Sequence, residues 1–105
     1  MGHWLFLTNH THVLVCLARD HGIRMAEVAA TVGISERAVH RIVKELEEGG
    51  YVQRRRRGRR NEYDVNLDAP MRHGEFRGHK VREIIEPLTE MQDRSAARGG
   101  GSRPS

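Results

Sequence analysis

Apolar residues recur at three- and four-residue spacing in three successive stretches, each with its own stop signal. In the first, Val13, Leu14, Cys16, Leu17 and Ala18 share a helical face, with Thr8, Asn9 and Thr11 upstream as N-cap candidates and Gly22 downstream. This predicts a helix over residues 12–20. In the second, Met25, Val28, Ala29 and Val32 predict a helix over 25–31, stopped by Gly33. Its start is weakly capped: Arg24 stands where Ser or Thr would accept an orphan amide, and Glu27 substitutes in part by facing the positive helix end. Gly33-Ile34-Ser35 reads as a tight turn, and Ser35 caps a third helix over 36–48 that Gly49-Gly50 stops. On it, Ala38, Val39, Ile42, Val43 and Leu46 make one face. Arg37, His40, Arg41 and Lys44 share the other at i, i+3, i+4 and i+7, and that face is polar and mostly cationic.

The period then changes to two. Residues 51–56 and 60–65 read as the strands of a hairpin with a tip at Arg57-Gly58-Arg59, and Tyr63 and Val65 alternate with Glu62 and Asp64 as a half-buried strand requires. Asp68-Ala69-Pro70 breaks the pattern. A fourth helix is expected over 75–91, with Val81, Ile84, Ile85, Leu88 and Met91 on one side and Pro87 as a kink. From Asp93 periodicity ends, and Gly99-Gly100-Gly101-Ser102 is flexible-linker chemistry. No internal repeat is present. The expected fold class is mainly α with a small β-hairpin. It divides into a compact unit over 1–70, a C-terminal helix over 71–92 and an unstructured tail over 93–105.

A chain of 105 residues supports one core, and with 37% hydrophobic and 5% aromatic residues that core is built from Val, Ile, Leu and Ala. The lone Cys16 cannot form an internal disulfide, and no Cys or His group has zinc-site spacing, so a reducing cytoplasm is expected. Trp4-Leu5-Phe6-Leu7 is far short of a signal-peptide core or membrane span. Met1-Gly2 begins like a myristoylation site, but Phe6 stands where that signal needs Ser or Thr, so no membrane partner is expected. The net charge of +4 is unevenly placed: −1 over residues 1–50, +5 over 51–63, −2 over 64–92 and +2 over 93–105. A basic block of this kind is a footprint for a polyanion, nucleic acid or an anionic membrane surface. No Ser, His and acid trio, P-loop, dinucleotide loop or metal motif occurs, so no enzymatic chemistry and no cofactor are expected.

Three runs carry a resemblance. Ile23-Arg24-Met25-Ala26-Glu27-Val28-Ala29-Ala30-Thr31-Val32-Gly33-Ile34-Ser35 looks like the second helix and turn of a helix-turn-helix, with Ala29, Gly33 and Val39 in its small, turn and buried positions. Glu45-Leu46-Glu47-Glu48-Gly49-Gly50-Tyr51-Val52 looks like the end of a recognition helix opening into a wing, and Gly58-Arg59-Arg60-Asn61-Glu62-Tyr63 like the wing's return. From Gly22 to Val65 the chain resembles the MarR-type and related ArsR-like bacterial regulators. The resemblance implies a winged helix-turn-helix, a double-stranded DNA partner, transcriptional regulation and a place in the bacterial cytoplasm with the nucleoid. MarR-type proteins dimerise through helices at both chain ends. Here few residues precede the first helix, which leaves Phe76, Val81, Ile84, Ile85, Leu88 and Met91 as the homodimer interface, unless that helix folds back on its own domain. Any small-molecule effector would sit at that interface.

The physical reading agrees with the resemblance. A helix fits the major groove, where Arg pairs bidentately with guanine, so Ser35, Arg37, His40, Arg41 and Lys44 are the recognition-helix candidates. Arg54 to Arg57, Arg59 and Arg60 are too many like charges for one small hairpin without a polyanion. Strand alternation turns half of Arg54 to Arg56 toward the body, so Arg55, Arg57, Arg59 and Arg60 are the wing candidates, with Arg57 or Arg59 suited to a narrow minor groove. Neutralising about six phosphates predicts a log–log salt slope of about −5. Cys16 reads as a buried small hydrophobe. His3, His10, His12 and His21 are spread over a terminus and a helix, His73 and His79 are weak as a pair, and the Cys pair of metal-sensing ArsR-like proteins is missing. The alternative reading is a winged-helix module that binds RNA or protein.

Overall fold

The structure is a computed structural model that describes residues 6–99. His3, Trp4 and Leu5, the Met1-Gly2 start and the linker from Gly100 onward lie outside the described residues.

Helix α1, Asn9–Arg19, begins earlier than its apolar face suggests, because Thr8 is the N-cap and accepts from the Thr11 amide at 3.1 Å. Val13, Leu14, Val15, Cys16 and Leu17 are all buried, so α1 is enclosed nearly all round. It touches α2, α3, the second strand and α4. Helix α2, Met25–Val32, has the half-cap its sequence implies: the Glu27 carboxylate accepts from the Arg24 amide at 3.2 Å. Gly33, at φ 87°, takes the left-handed position that ends it. Helix α3, Glu36–Glu48, is capped by Ser35, whose Oγ accepts from the Ala38 amide at 3.0 Å. It buries Val39, Ile42, Val43 and Leu46.

Strands β1, Val52–Arg57, and β2, Arg60–Val65, pair antiparallel as the only sheet among the described residues. The tip is two residues, Gly58-Arg59, rather than three, with Gly58 at φ 63°. Val52 faces Val65, Arg54 faces Tyr63 and Arg56 faces Asn61 on one side. The other side pairs Gln53 with Asp64, Arg55 with Glu62 and Arg57 with Arg60. The Tyr63 amide donates to the His21 carbonyl at 2.9 Å, which ties the hairpin to the α1–α2 connection.

The expected helix over 75–91 starts late. Gly74 and Gly78, at φ 68° and 92°, break helical backbone, and residues 74–76 form a short 3-10 turn. Residues 78–80 are instead drawn to 70–71: Pro70 bridges Lys80, and the Met71 amide donates to the His79 carbonyl at 2.8 Å. Helix α4 is Arg82–Gly99 and runs on through Pro87. It also runs through 93–99, where the sequence suggests an unstructured tail, and Arg19 pairs with Asp93 there. The assembly is a mainly α, winged helix-turn-helix architecture, with Val13, Leu17, Val28, Val39 and Ile42 fully enclosed at its centre.

Candidate nucleic-acid interface

Helix α3 separates two tasks by periodicity. Its apolar side is sealed against α1 and α2, so the opposite side is held outward by the core. Arg37, His40, Arg41 and Lys44 are all exposed there. Arg41 lies 3.7 Å from Glu45 and His40 lies 3.5 Å from Glu36, while Arg37 and Lys44 have no acid partner among the described residues. Glu45 is anchored from α1 by His10 Nε2 at 2.6 Å. That hydrogen bond, with Arg41 adding to it, holds the Glu45 carboxyl below the usual carboxylate range. Ser35 lies at the foot of this face, where its oxygen already serves the helix cap.

In the wing the register sorts the arginines into two sets. The outer face holds Arg55, whose guanidinium meets both Asp64 oxygens, Nε to Oδ2 at 2.6 Å and Nη2 to Oδ1 at 3.2 Å. Glu62 lies 3.6 Å from Arg55 and 3.9 Å from Arg57, and His21 Nδ1 lies 3.3 Å from Asp64. The bidentate contact holds the Asp64 carboxyl below its ordinary value. Arg60 donates to the Gly22 carbonyl at 2.6 Å and so fastens the wing to the body. Arg59, at the tip, has no acid partner among the described residues.

The inner face carries Arg54, Arg56 and Asn61. Arg56 Nε donates to the Gly58 carbonyl at 3.1 Å, and Arg54 lies 3.5 Å from Glu47 at the end of α3. Strand alternation alone leaves open which of Arg54 to Arg56 face the body, and Arg54 is not among the wing candidates expected from sequence. The signal lies in the tip: a two-residue turn places Arg54 opposite buried Tyr63, on the side that meets α3.

The C-terminal stripe is split. Val81 and Ile85 are buried in the chain's own core, 6% and 3% exposed, which takes them out of the predicted dimer interface. Leu88 is half-buried against that core, whereas Phe76, Ile84 and Met91 stay exposed. Tyr51 and Arg72 close the other end of this region: Tyr51 donates to the Pro70 carbonyl at 3.0 Å, and Arg72 stacks over its ring and donates to the Gly49 carbonyl. Cys16 is buried, and burial pushes its thiol pKa up, against thiolate reactivity. Among the described residues no three His, Cys, Asp or Glu side chains converge as a metal site, and no helix is long and apolar enough to cross a membrane.

The family described as winged helix-turn-helix DNA-binding matches residues 7–53, just under half of the chain. No curated protein matches the sequence. Among solved structures, the transcriptional regulator SlyA is similar at TM-score 0.52 and 16% identity, over 88% of this chain and 59% of its own. MepR, a transcription regulator of the Staphylococcus aureus multidrug efflux pump MepA, is similar at TM-score 0.56 and 15% identity, over 87% of this chain and 63% of its own. The zinc-dependent MarR family regulator AdcR in its Zn(II)-bound state is similar at TM-score 0.51 and 21% identity, over 93% of this chain and 67% of its own. This chain thus spans about three fifths of the length of SlyA and MepR. Together with the order of helices and hairpin, these likenesses show a winged helix-turn-helix fold.

Proposed function

We propose that this protein binds double-stranded DNA and regulates transcription, with α3 in the major groove and the wing on the adjoining backbone. The observation that carries the reading is the α3 face on which Arg37 and Lys44 stand exposed, without an ion pair among the described residues and fixed by the core behind them. A cation without an internal competitor keeps its donors for a ligand, and a guanidinium on a groove-sized helix matches the edge of guanine. His40 and Arg41 extend the same stripe, and Ser35 stands where the first turn meets a phosphate. Arg57 and Arg59 at the wing tip suit backbone or minor-groove contact. Arg55 and Arg60 are committed within the chain and contribute to wing shape.

The neighbours named as transcriptional regulators support the same reading. AdcR's zinc dependence has no counterpart among the described residues here. The experiment is selection from a random duplex pool at two salt concentrations, with duplex RNA as competitor. An enriched duplex motif that RNA does not displace supports the reading; no enrichment, or displacement by RNA, contradicts it. The exposed remainder of the C-terminal stripe, Phe76, Ile84 and Met91, supports a second copy of this chain as partner and hence an inverted-repeat site. Sedimentation of wild type and Ile84→Glu tests this, with the variant expected to run as a monomer.

A further inference from the structure

The inner face of the wing meets α3 across an open groove of about 460 Å³. Its walls carry His40 and Lys44 from α3 and Arg54 from β1, with Tyr63 behind them. Two carboxylates from the last turn of α3, Glu47 and Glu48, line the same groove. Glu47 is the more enclosed partner of the ion pair with Arg54: its side chain is 26% exposed against 56% for the arginine. The carboxylate is therefore the fixed end of the pair, and the guanidinium the end that can turn away. On the outer face the arginine is held more firmly, since Arg55 is met bidentately by Asp64 with Glu62 close by.

The geometry points to this groove as the seat of one DNA backbone phosphate, gripped by Arg54 and Lys44, with Glu47 as that phosphate's internal competitor for Arg54. The inference rests on the DNA-binding reading and specifies which wing arginine serves it. A strand leaving the major groove beside α3 passes between helix and wing, where cations from two separate elements converge. A partly exposed ion pair at 3.5 Å is weakly held. A phosphate fixed in the duplex offers Arg54 stronger, charge-assisted hydrogen bonds and displaces the carboxylate. Glu47 has a second consequence. By opposing the backbone contact, it lowers affinity for every sequence alike, which leaves discrimination to the base contacts of α3.

The test is binding of the full chain to a random-sequence duplex across a series of salt concentrations, read by fluorescence anisotropy. Arg54→Ala should weaken binding and make the log–log salt slope shallower by about 0.9, the signature of one lost phosphate. Glu47→Gln, which keeps shape and removes charge, should strengthen binding by about threefold. That gain should disappear when Arg54→Ala is added, because the two side chains act through one contact. A steep wild-type slope that Arg54→Ala leaves intact while Arg55→Ala reduces it overturns the inference and keeps the DNA-binding reading. A Glu47→Gln gain that persists without Arg54, or no gain, overturns the competitor role. Wild-type chain with no salt-dependent duplex binding removes the DNA-binding reading and this inference with it.

Discussion

In α3 the cations stand on a helix whose opposite side, Val39, Ile42, Val43 and Leu46, is sealed into the core, whereas the wing is anchored to that core by Val52, Tyr63 and the partly buried Val65 at its base. The two regions also differ in how their charge is held. Among the described residues Arg37 and Lys44 form no ion pair, while Arg41 and His40 meet only the neighbouring-turn acids Glu45 and Glu36 at 3.7 and 3.5 Å; in the wing Arg54, Arg55 and Arg57 each lie near a carboxylate of Glu47, Asp64 or Glu62. The cause is geometric. A helix turns its cations away from the core, while a two-stranded ribbon sets cross-strand neighbours side by side, so Arg55 lies opposite Glu62 and diagonal to Asp64. Charge counted along the chain therefore overstates what the wing can offer a polyanion, and understates the share that α3 carries.

The sharpest break in this comparison is Ile42→Ala. Ile42 is 1% exposed beneath the cationic face, and its truncation should cost about 2–5 kcal/mol in denaturant unfolding. Arg59→Ala, at the opposite extreme of the wing, should stay within about 0.5 kcal/mol. Next in size, Ser35→Ala removes the α3 cap and should cost about 1 kcal/mol, with faster amide exchange confined to the first turn of that helix. The smallest effect is a pH dependence that touches both regions. Glu45 beside His10 and Asp64 against Arg55 have carboxyl pKa values lowered by folding. Their stabilisation is thus complete above the ordinary carboxylate range and is lost as pH falls through that range and below it. Asp64→Asn should lower the neutral plateau of a melting-temperature profile slightly, leave its most acid end nearly unchanged, and so flatten the acid limb.

Much of α2, α3 and their turn was legible because the signals are local: apolar spacing, Ser35 as a cap, Gly33 as a stop. The wing was legible as a hairpin but not in register. A tip of Arg57-Gly58-Arg59 would oppose Arg56 to Arg60, and the actual Gly58-Arg59 tip opposes Arg57 to it. That shift of one residue moves each arginine to the other face, and it hid Arg54. The start of α4 depends on an isolated bridge, Pro70 to Lys80, and on the left-handed backbone of Gly74 and Gly78, neither of which apolar periodicity registers. The stripe from Val81 to Met91 was visible as one face. Its division into buried Val81 and Ile85 and exposed Ile84 and Met91 follows only from how α4 crosses α1.

The central claim is that α3 reads sequence while the wing adds affinity that is blind to it. The direct measurement is the affinity of wild type, Arg37→Ala and Arg59→Ala for a selected duplex and its scrambled counterpart, in one buffer. The account predicts that Arg37→Ala loses about 1–3 kcal/mol of the difference between the two duplexes. Arg59→Ala should weaken both alike and preserve that difference. Equal loss on both duplexes for Arg37→Ala, with discrimination lost in Arg59→Ala, would contradict it.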